Sequence, residues 1–213
     1  MDDEVRRRVR LATVKFERLS GQGVLIPGGL ILTAAHVVHW TAEGGMTLGD
    51  FCIEEIQTAT GKLKCRPLAV EPVHDIAVCG VLDSQEFSID SDDFEDWCDR
   101  VEPVEISFDD YDLFEPFPYH IRTHTDGWIA ATAQQNSDAP ECAQLWVTPS
   151  ERISHGTSGG PIVDDHGKLI GIVSTGHIEG DIVDPRLSPC PQYALPVWAI
   201  KQISNAMGET NDG

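Results

Sequence analysis

Three short tracts carry residue types that could move an acyl group. In chain order they are Leu32-Thr33-Ala34-Ala35-His36-Val37-Val38, then His74-Asp75-Ile76-Ala77-Val78, then Gly156-Thr157-Ser158-Gly159-Gly160-Pro161. A serine hydroxyl is a poor nucleophile at neutral pH and needs an imidazole base within hydrogen-bond reach. That imidazole needs a carboxylate to hold its tautomer and to stabilise the imidazolium that forms. His36, Asp75 and Ser158 supply one of each. The glycines around Ser158 let the backbone fold tightly enough for two amide N–H groups to face the oxygen on which negative charge develops.

Such residues lie far apart in sequence, so the elements between them must bring them together. Many short apolar segments are separated by Gly, Pro and Asp, which is an all-β pattern. Strands are expected at Ala12–Phe16, Val24–Ile26, Leu30–Leu32, Arg66–Val70, Ile76–Val81, Ile121–Thr125, Trp128–Thr132, Leu145–Val147, Pro161–Val163 and Leu169–Ser174. Turn signals fall at Pro27-Gly28-Gly29, Gly44-Gly45, Asp126-Gly127 and Asp165-His166-Gly167. After Pro196, the spacing of Val197, Ile200, Ile203 and Met207 predicts a helix with those four on one face. The N-terminal arginine cluster reads as a solvated arm, with a short helix capped by Asp2 or Asp3 as the other option. Trp40, Trp128, Trp146 and Trp198 read as core.

The 213 residues are 41% hydrophobic, enough for one sizeable core or two modest ones. Fifteen basic against 35 acidic side chains give a formal charge of −20, which argues against nucleic acid or an anionic membrane as partner. From Asp83 to Pro116 there are 14 acidic residues and one basic, Arg100, so this segment alone carries −13. It reads as a solvated, mobile connection, and sets the expected division into 1–82, 83–116 and 117–213. Its interleaved aromatics, Phe94 and Trp97 among them, raise a second reading, a docking segment for a basic or regulatory protein partner. No apolar run approaches the roughly 18 residues of a membrane span, and the charged opening Met1–Arg10 does not read as a secretory signal, so a cytoplasmic chain is expected. The six cysteines then read as reduced thiols, and none forms the close pair of a structural zinc site. Neither metal nor cofactor is expected.

The three tracts, in this order and spacing, resemble the trypsin-like, chymotrypsin-fold serine peptidases. Gly171-Ile172-Val173-Ser174 is similar to that family's groove strand, and Val197-Trp198-Ala199-Ile200-Lys201-Gln202 to its closing helix. Gly21-Gln22-Gly23-Val24-Leu25-Ile26 and Ile153 bring it nearest to the bacterial Deg/HtrA type, without a PDZ domain. The resemblance spans roughly residues 20–82 and 120–205. It implies two antiparallel six-stranded β-barrels packed at a cleft and a C-terminal helix, with His36 and Asp75 from the first barrel and Ser158 from the second. It also implies Ser158 as nucleophile, His36 as general base then acid, Asp75 as orienting carboxylate, and the N–H groups of Gly156 and Ser158 as oxyanion hole. Ser174, Thr175 and Gly176 would offer backbone hydrogen bonds to an extended peptide substrate.

Departures from that family are informative. Thr157 stands where activatable members carry an aspartate before the serine, so activation through a new N-terminus is not expected. Arg152 stands where trypsin has the aspartate that selects Lys or Arg; it could instead meet an acidic side chain, or pair with Glu151 at the surface. His155 reads either as a pocket-wall residue touching substrate or as a solvated side chain. The function expected is an intracellular serine endopeptidase working through an acyl-enzyme, as the effector domain of a regulated defence or signalling system. The alternatives are a catalytically silent peptide-binding module of the same fold and an esterase or amidase acting on small molecules.

Overall fold

The computed structural model describes residues 1–39, 52–107, 117–135, 144–174 and 186–208. The chain begins with helix α1 (Asp3–Ala12), which runs into β1 (Thr13–Phe16). The strands β2 (Gly21–Ile26), β3 (Leu30–Thr33), β4 (Glu54–Gln57), β5 (Lys62–Glu71) and β6 (Ile76–Gly80) follow and close an antiparallel barrel in the order β1-β2-β3-β6-β5-β4. β2, β3 and β6 are buried at every position, because both faces are covered; their sequences accordingly lack the polar alternation of a half-exposed sheet. A bulge between Pro67 and Ala69 lets β5 bend around the barrel.

The arginine-rich start is a helix and not a solvated arm. The Asp2 side chain accepts from the Val5 N–H at 2.8 Å, Arg10 sits in the last turn, and Val9 and Ala12 are buried. Arg8 crosses to the other half of the molecule, donating to the His166 carbonyl at 2.8 Å and pairing with Glu102 at 3.0 Å.

Helix α2 (Ser88–Arg100) stands where a mobile acidic connection was expected. Ser91, Phe94 and Trp97 recur every third residue and form its buried face, the two rings packing edge to face at 5.9 Å. The acidic side chains Asp92, Asp93, Glu95, Asp96 and Asp99 occupy the exposed side. Beyond it the chain becomes a strap between the two halves. The Val104 N–H donates to Leu25 O at 2.9 Å, and the Leu169 N–H donates to Glu105 O at 2.7 Å.

The second half contains β7 (Phe117–Arg122), β8 (Trp128–Gln135), β9 (Gln144–Pro149), β10 (Pro161–Val163), β11 (Leu169–Ile172) and β12 (Arg186–Pro189), in the order β11-β10-β7-β8-β9-β12. The edges approach one another where Ser188 Oγ donates to Ile172 O at 2.5 Å, so this sheet is a nearly closed barrel. Its interior is the period-2 set Tyr119 and Ile121, Ile129, Ala131 and Ala133, Leu145 and Val147. A short helix α3 (Pro191–Ala194) leads to the C-terminal helix α4 (Val197–Ala206). The buried positions of α4 are Ala199, Ile203 and Ser204, whereas Val197 and Trp198 are exposed, so the expected face is rotated and Trp198 is not core. The two six-stranded antiparallel barrels and terminal helix expected from the sequence are otherwise present.

Candidate active site

His36 lies in a single 3₁₀ turn, Ala35–Val37, directly after β3. Thr33, Ala34 and Ala35 on its N-terminal side and Val37 after it are buried, which fixes the backbone that presents the ring. The ring faces Asp75: Nδ1 lies 2.9 Å from Oδ1 and 2.8 Å from Oδ2 of the carboxylate, and the His36 backbone N–H donates to Oδ1 at 3.0 Å. A carboxylate partner requires the proton on Nδ1, which leaves Nε2 with a free lone pair.

Asp75 sits in the turn between β5 and β6 with φ of 58°, a left-handed conformation that a non-glycine residue adopts only when its surroundings enforce it. The enforcing group is Glu71. Its carboxylate accepts from the Val73 N–H at 3.1 Å, the His74 N–H at 2.6 Å and His74 Nδ1 at 2.6 Å. From the second barrel, the Ser174 hydroxyl donates to Asp75 Oδ2 at 2.6 Å. Burial pushes the Asp75 carboxyl up, but the hydrogen bonds from His36 and Ser174 outweigh it and hold the group below its ordinary value. The carboxylate therefore stays ionised beside the imidazole.

Ser158 occupies the corner of two consecutive tight turns. The Thr157 N–H donates to Ser154 O at 3.3 Å with Gly156 at φ of 85°, and the Gly160 N–H donates to Thr157 O at 2.8 Å with Gly159 at φ of 77°. Each is the pattern of a type II turn, which requires positive φ at its third residue. A Cβ at Gly159 would strike the Gln22 carbonyl and come within 2.5 Å of Thr33 Oγ1, so glycine is required there on space as well as on conformation. The corner is tied to both barrels: the Gln22 N–H donates to Ser158 O at 2.7 Å, and the Gly159 N–H donates to Val173 O at 2.7 Å.

Thr157, which stands where the resemblance would place an aspartate, is fully buried. Its Oγ1 accepts from the His124 N–H at 3.3 Å and lies 3.2 Å from Ser154 Oγ, and its carbonyl accepts from Gln22 Nε2 at 3.4 Å. The loop is thus held by neutral partners. Among the described residues no direct hydrogen bond joins Ser158 to His36. Arg152 and His155 are exposed on the approach to Ser158, and Ile153 between them and the barrel is buried in the second core. Thr175 and Gly176 lie outside the described residues, as does Trp40.

Four contributions escaped the sequence: the Ser174 hydroxyl, Glu71, Gln22 and His124. The first three act across separations of 99, 3 and 135 residues, and only the Glu71/His74 spacing is local enough to have been read. Sequence gave no signal for His124, whose ring packs against Gly156 and is lowered in basicity by burial first and by the Lys15 charge second.

A family model described as a trypsin-like peptidase domain matches residues 21–172. Among solved structures, the serine endoprotease from Yersinia pestis is similar, with a TM-score of 0.63 at 18% identity over 95% of this chain and 66% of that one. The inactive form of the Rv3671c protease is similar with a TM-score of 0.56 at 14% identity, over 98% of this chain and 93% of that one. A mutant of Rv3671c from M. tuberculosis H37Rv, also inactive, gives 0.57 at 14% identity over 100% and 94%. No curated protein matches the sequence. With the family model covering well over half of its length, and the two barrels meeting at His36, Asp75 and Ser158, the chain belongs to the trypsin-like peptidase domain family.

Proposed function

We propose that the chain is an intracellular serine endopeptidase that cleaves peptide bonds through an acyl-enzyme on Ser158. The observation that carries the reading is the double hold on Asp75, by His36 from one barrel and by Ser174 from the other. It supports Nε2 of His36 as the basic nitrogen at the seam where Ser158 lies.

In the first step the Ser158 Oγ–C bond forms as Nε2 of His36 takes the hydroxyl proton. The carbonyl electron pair moves onto oxygen, which the N–H groups of Gly156 and Ser158 stabilise. The pair returns, the C–N bond breaks, and His36 gives its proton to the departing amine. Water then repeats the sequence against the acyl-enzyme and releases the carboxylic acid, with Asp75 stabilising the imidazolium each time. Ser174, Thr175 and Gly176 hold the peptide as an added strand, and Arg152 and His155 contact side chains near the scissile bond. In this division of labour residues 1–82 bring His36 and Asp75, 117–213 bring Ser158, and 83–116 connect them. The intracellular setting is supported by Cys52, Cys65, Cys79 and Cys98, all free thiols. The exposed acidic face of α2 suits a regulatory partner bearing basic groups; full-speed cleavage of broad protein substrates by the isolated chain would remove the regulated-effector reading.

One observation favours a second reading, the catalytically silent peptide-binding module: the missing hydrogen bond between Ser158 and His36. Structures without substrate often leave such bonds open until the complex forms. Labelling by a fluorophosphonate probe separates the two. The wild type is expected to label, and Ser158→Ala or His36→Ala to lose about 10⁶-fold of turnover by analogy with other serine-peptidase sites. A folded wild type that does not label overturns the peptidase reading.

A further inference from the structure

A chain of net charge −20 contains a cavity whose charged lining is mostly cationic. It has a volume of about 420 Å³ and lies at the seam of the barrels. Arg10 comes from the end of α1, Lys15 from β1, Gln57 and Thr58 from the end of β4 and its turn, and Arg122 and Asp126 from the β7–β8 connection. Three positive groups face one carboxylate.

The hydrogen bonds show how much of that charge is already matched. Asp126 pairs with Arg122 Nη2 at 2.5 Å and, more distantly, with Lys15 Nζ at 3.5 Å. Arg122 Nη1 is taken by the carbonyls of Thr123 and Gly127 at 3.1 and 3.3 Å. Arg122 Nε has no acceptor, although the side chain is only 3% exposed. A buried guanidinium N–H without a partner is costly. The Arg10 guanidinium makes no ion pair or hydrogen bond among the described residues. The surplus of two positive charges and the unpaired Arg10 guanidinium both call for an anion.

We propose that this seam cavity is a binding site for a small oxyanion of the phosphate or carboxylate class, distinct from the peptide cleft. Arg10 and Lys15 form its rim and Arg122 its buried wall. Its wall is continuous with the Ser158 loop: the Arg122 carbonyl accepts from Gln22 Nε2 at 3.4 Å, and the same amide donates to Thr157 O at 3.4 Å.

The test is isothermal titration of the full chain with inorganic phosphate and, separately, with succinate, against sodium chloride of equal ionic strength. The same titrations are run on Arg10→Gln and on Arg10→Gln/Lys15→Gln, which alter one exposed and one half-buried group outside the hydrophobic cores. Saturable binding of either anion, with Kd raised at least tenfold in the double variant, is the expected result; the preferred probe tells whether a phosphoryl or a carboxylate group is the source. No saturable binding of either anion, or an unchanged Kd in the double variant, overturns the site. Fluorophosphonate labelling of the same samples reports separately on the peptidase reading, so failure of one is not read as failure of the other.

Discussion

Removing the Ser174 hydroxyl tests whether the second barrel tunes the acid that belongs to the first. The bond is 2.6 Å long, from a hydroxyl to an ionised carboxylate, in the range of short charge-assisted bonds. Such bonds contribute about 1.5–3 kcal/mol, and each 1.36 kcal/mol is tenfold in rate, so Ser174→Ala has a ceiling of roughly 10–100-fold. Asp75 would keep its bonds to the His36 ring and backbone, which places the expected loss near the lower end, about tenfold. That is far less than the roughly 10⁴-fold that follows when such an aspartate is replaced by asparagine in related triads. The assay is the second-order rate of fluorophosphonate labelling measured against pH. Because the lost hydrogen bond favours the carboxylate, Asp75 should protonate at higher pH in the variant, moving the acid limb of the profile upward. Ser174→Thr retains a hydroxyl and should recover most of the rate. Equal rates and superimposable profiles for wild type and Ser174→Ala would refute the argument that Ser174 holds Asp75.

Two further outcomes follow from groups elsewhere in the first barrel and at the Ser158 corner. Gly159→Ala should abolish labelling and lower stability, since a left-handed alanine costs about 1–2 kcal/mol before the collision with the Gln22 carbonyl is counted. At roughly 2–4 °C per kcal/mol for a chain of this length, a Tm unchanged by differential scanning calorimetry would contradict the geometry. Glu54 is fully buried, with Oε1 accepting from the His39 N–H at 2.6 Å and Oε2 without a partner among the described residues. Burial pushes its carboxyl above the ordinary 4.5, against the opposing pull of that N–H and of Arg18. A raised carboxyl supports the fold fully below its unfolded value and loses that support as pH rises through the folded one. Glu54→Gln should therefore gain on the wild type in urea denaturation as pH rises above the ordinary 4.5; a pH-independent difference would sink the assignment.

The three chemistry-bearing tracts were legible because each is a local run that makes its own turn, and the strands of the first barrel were legible because β2, β3 and β6 are continuous apolar stretches. β4 was missed for the reason that makes it unusual: Glu54-Glu55-Ile56-Gln57 reads as polar surface, yet Glu54 points inward. β12, Arg186-Leu187-Ser188-Pro189, hides behind a proline and an arginine. β7 begins four residues earlier than its apolar pattern suggested, since Phe117 and Pro118 are exposed and give no alternation. The acidic count concealed α2, whose buried Ser91, Phe94 and Trp97 are too few to stand out against the charge. What pairs Ser174 with Asp75 and Gln22 with Thr157 is the docking of one barrel on the other, and no local window contains that information.

The strap that ties Val104 to Leu25 and Glu105 to Leu169 bears on the order in which the molecule comes into being. Chains emerge from the ribosome N-terminus first and fold by units. A nascent chain exposed as far as residue 107 holds His36 and Asp75 on the first barrel, with the strap's two hydrogen bonds to Leu169 waiting for a strand not yet made. Ser158 and Ser174 arrive only with the second barrel. On the proposed peptidase reading, the imidazole and the carboxylate are thus made before the serine, and the two halves of the site can meet only once the second barrel exists.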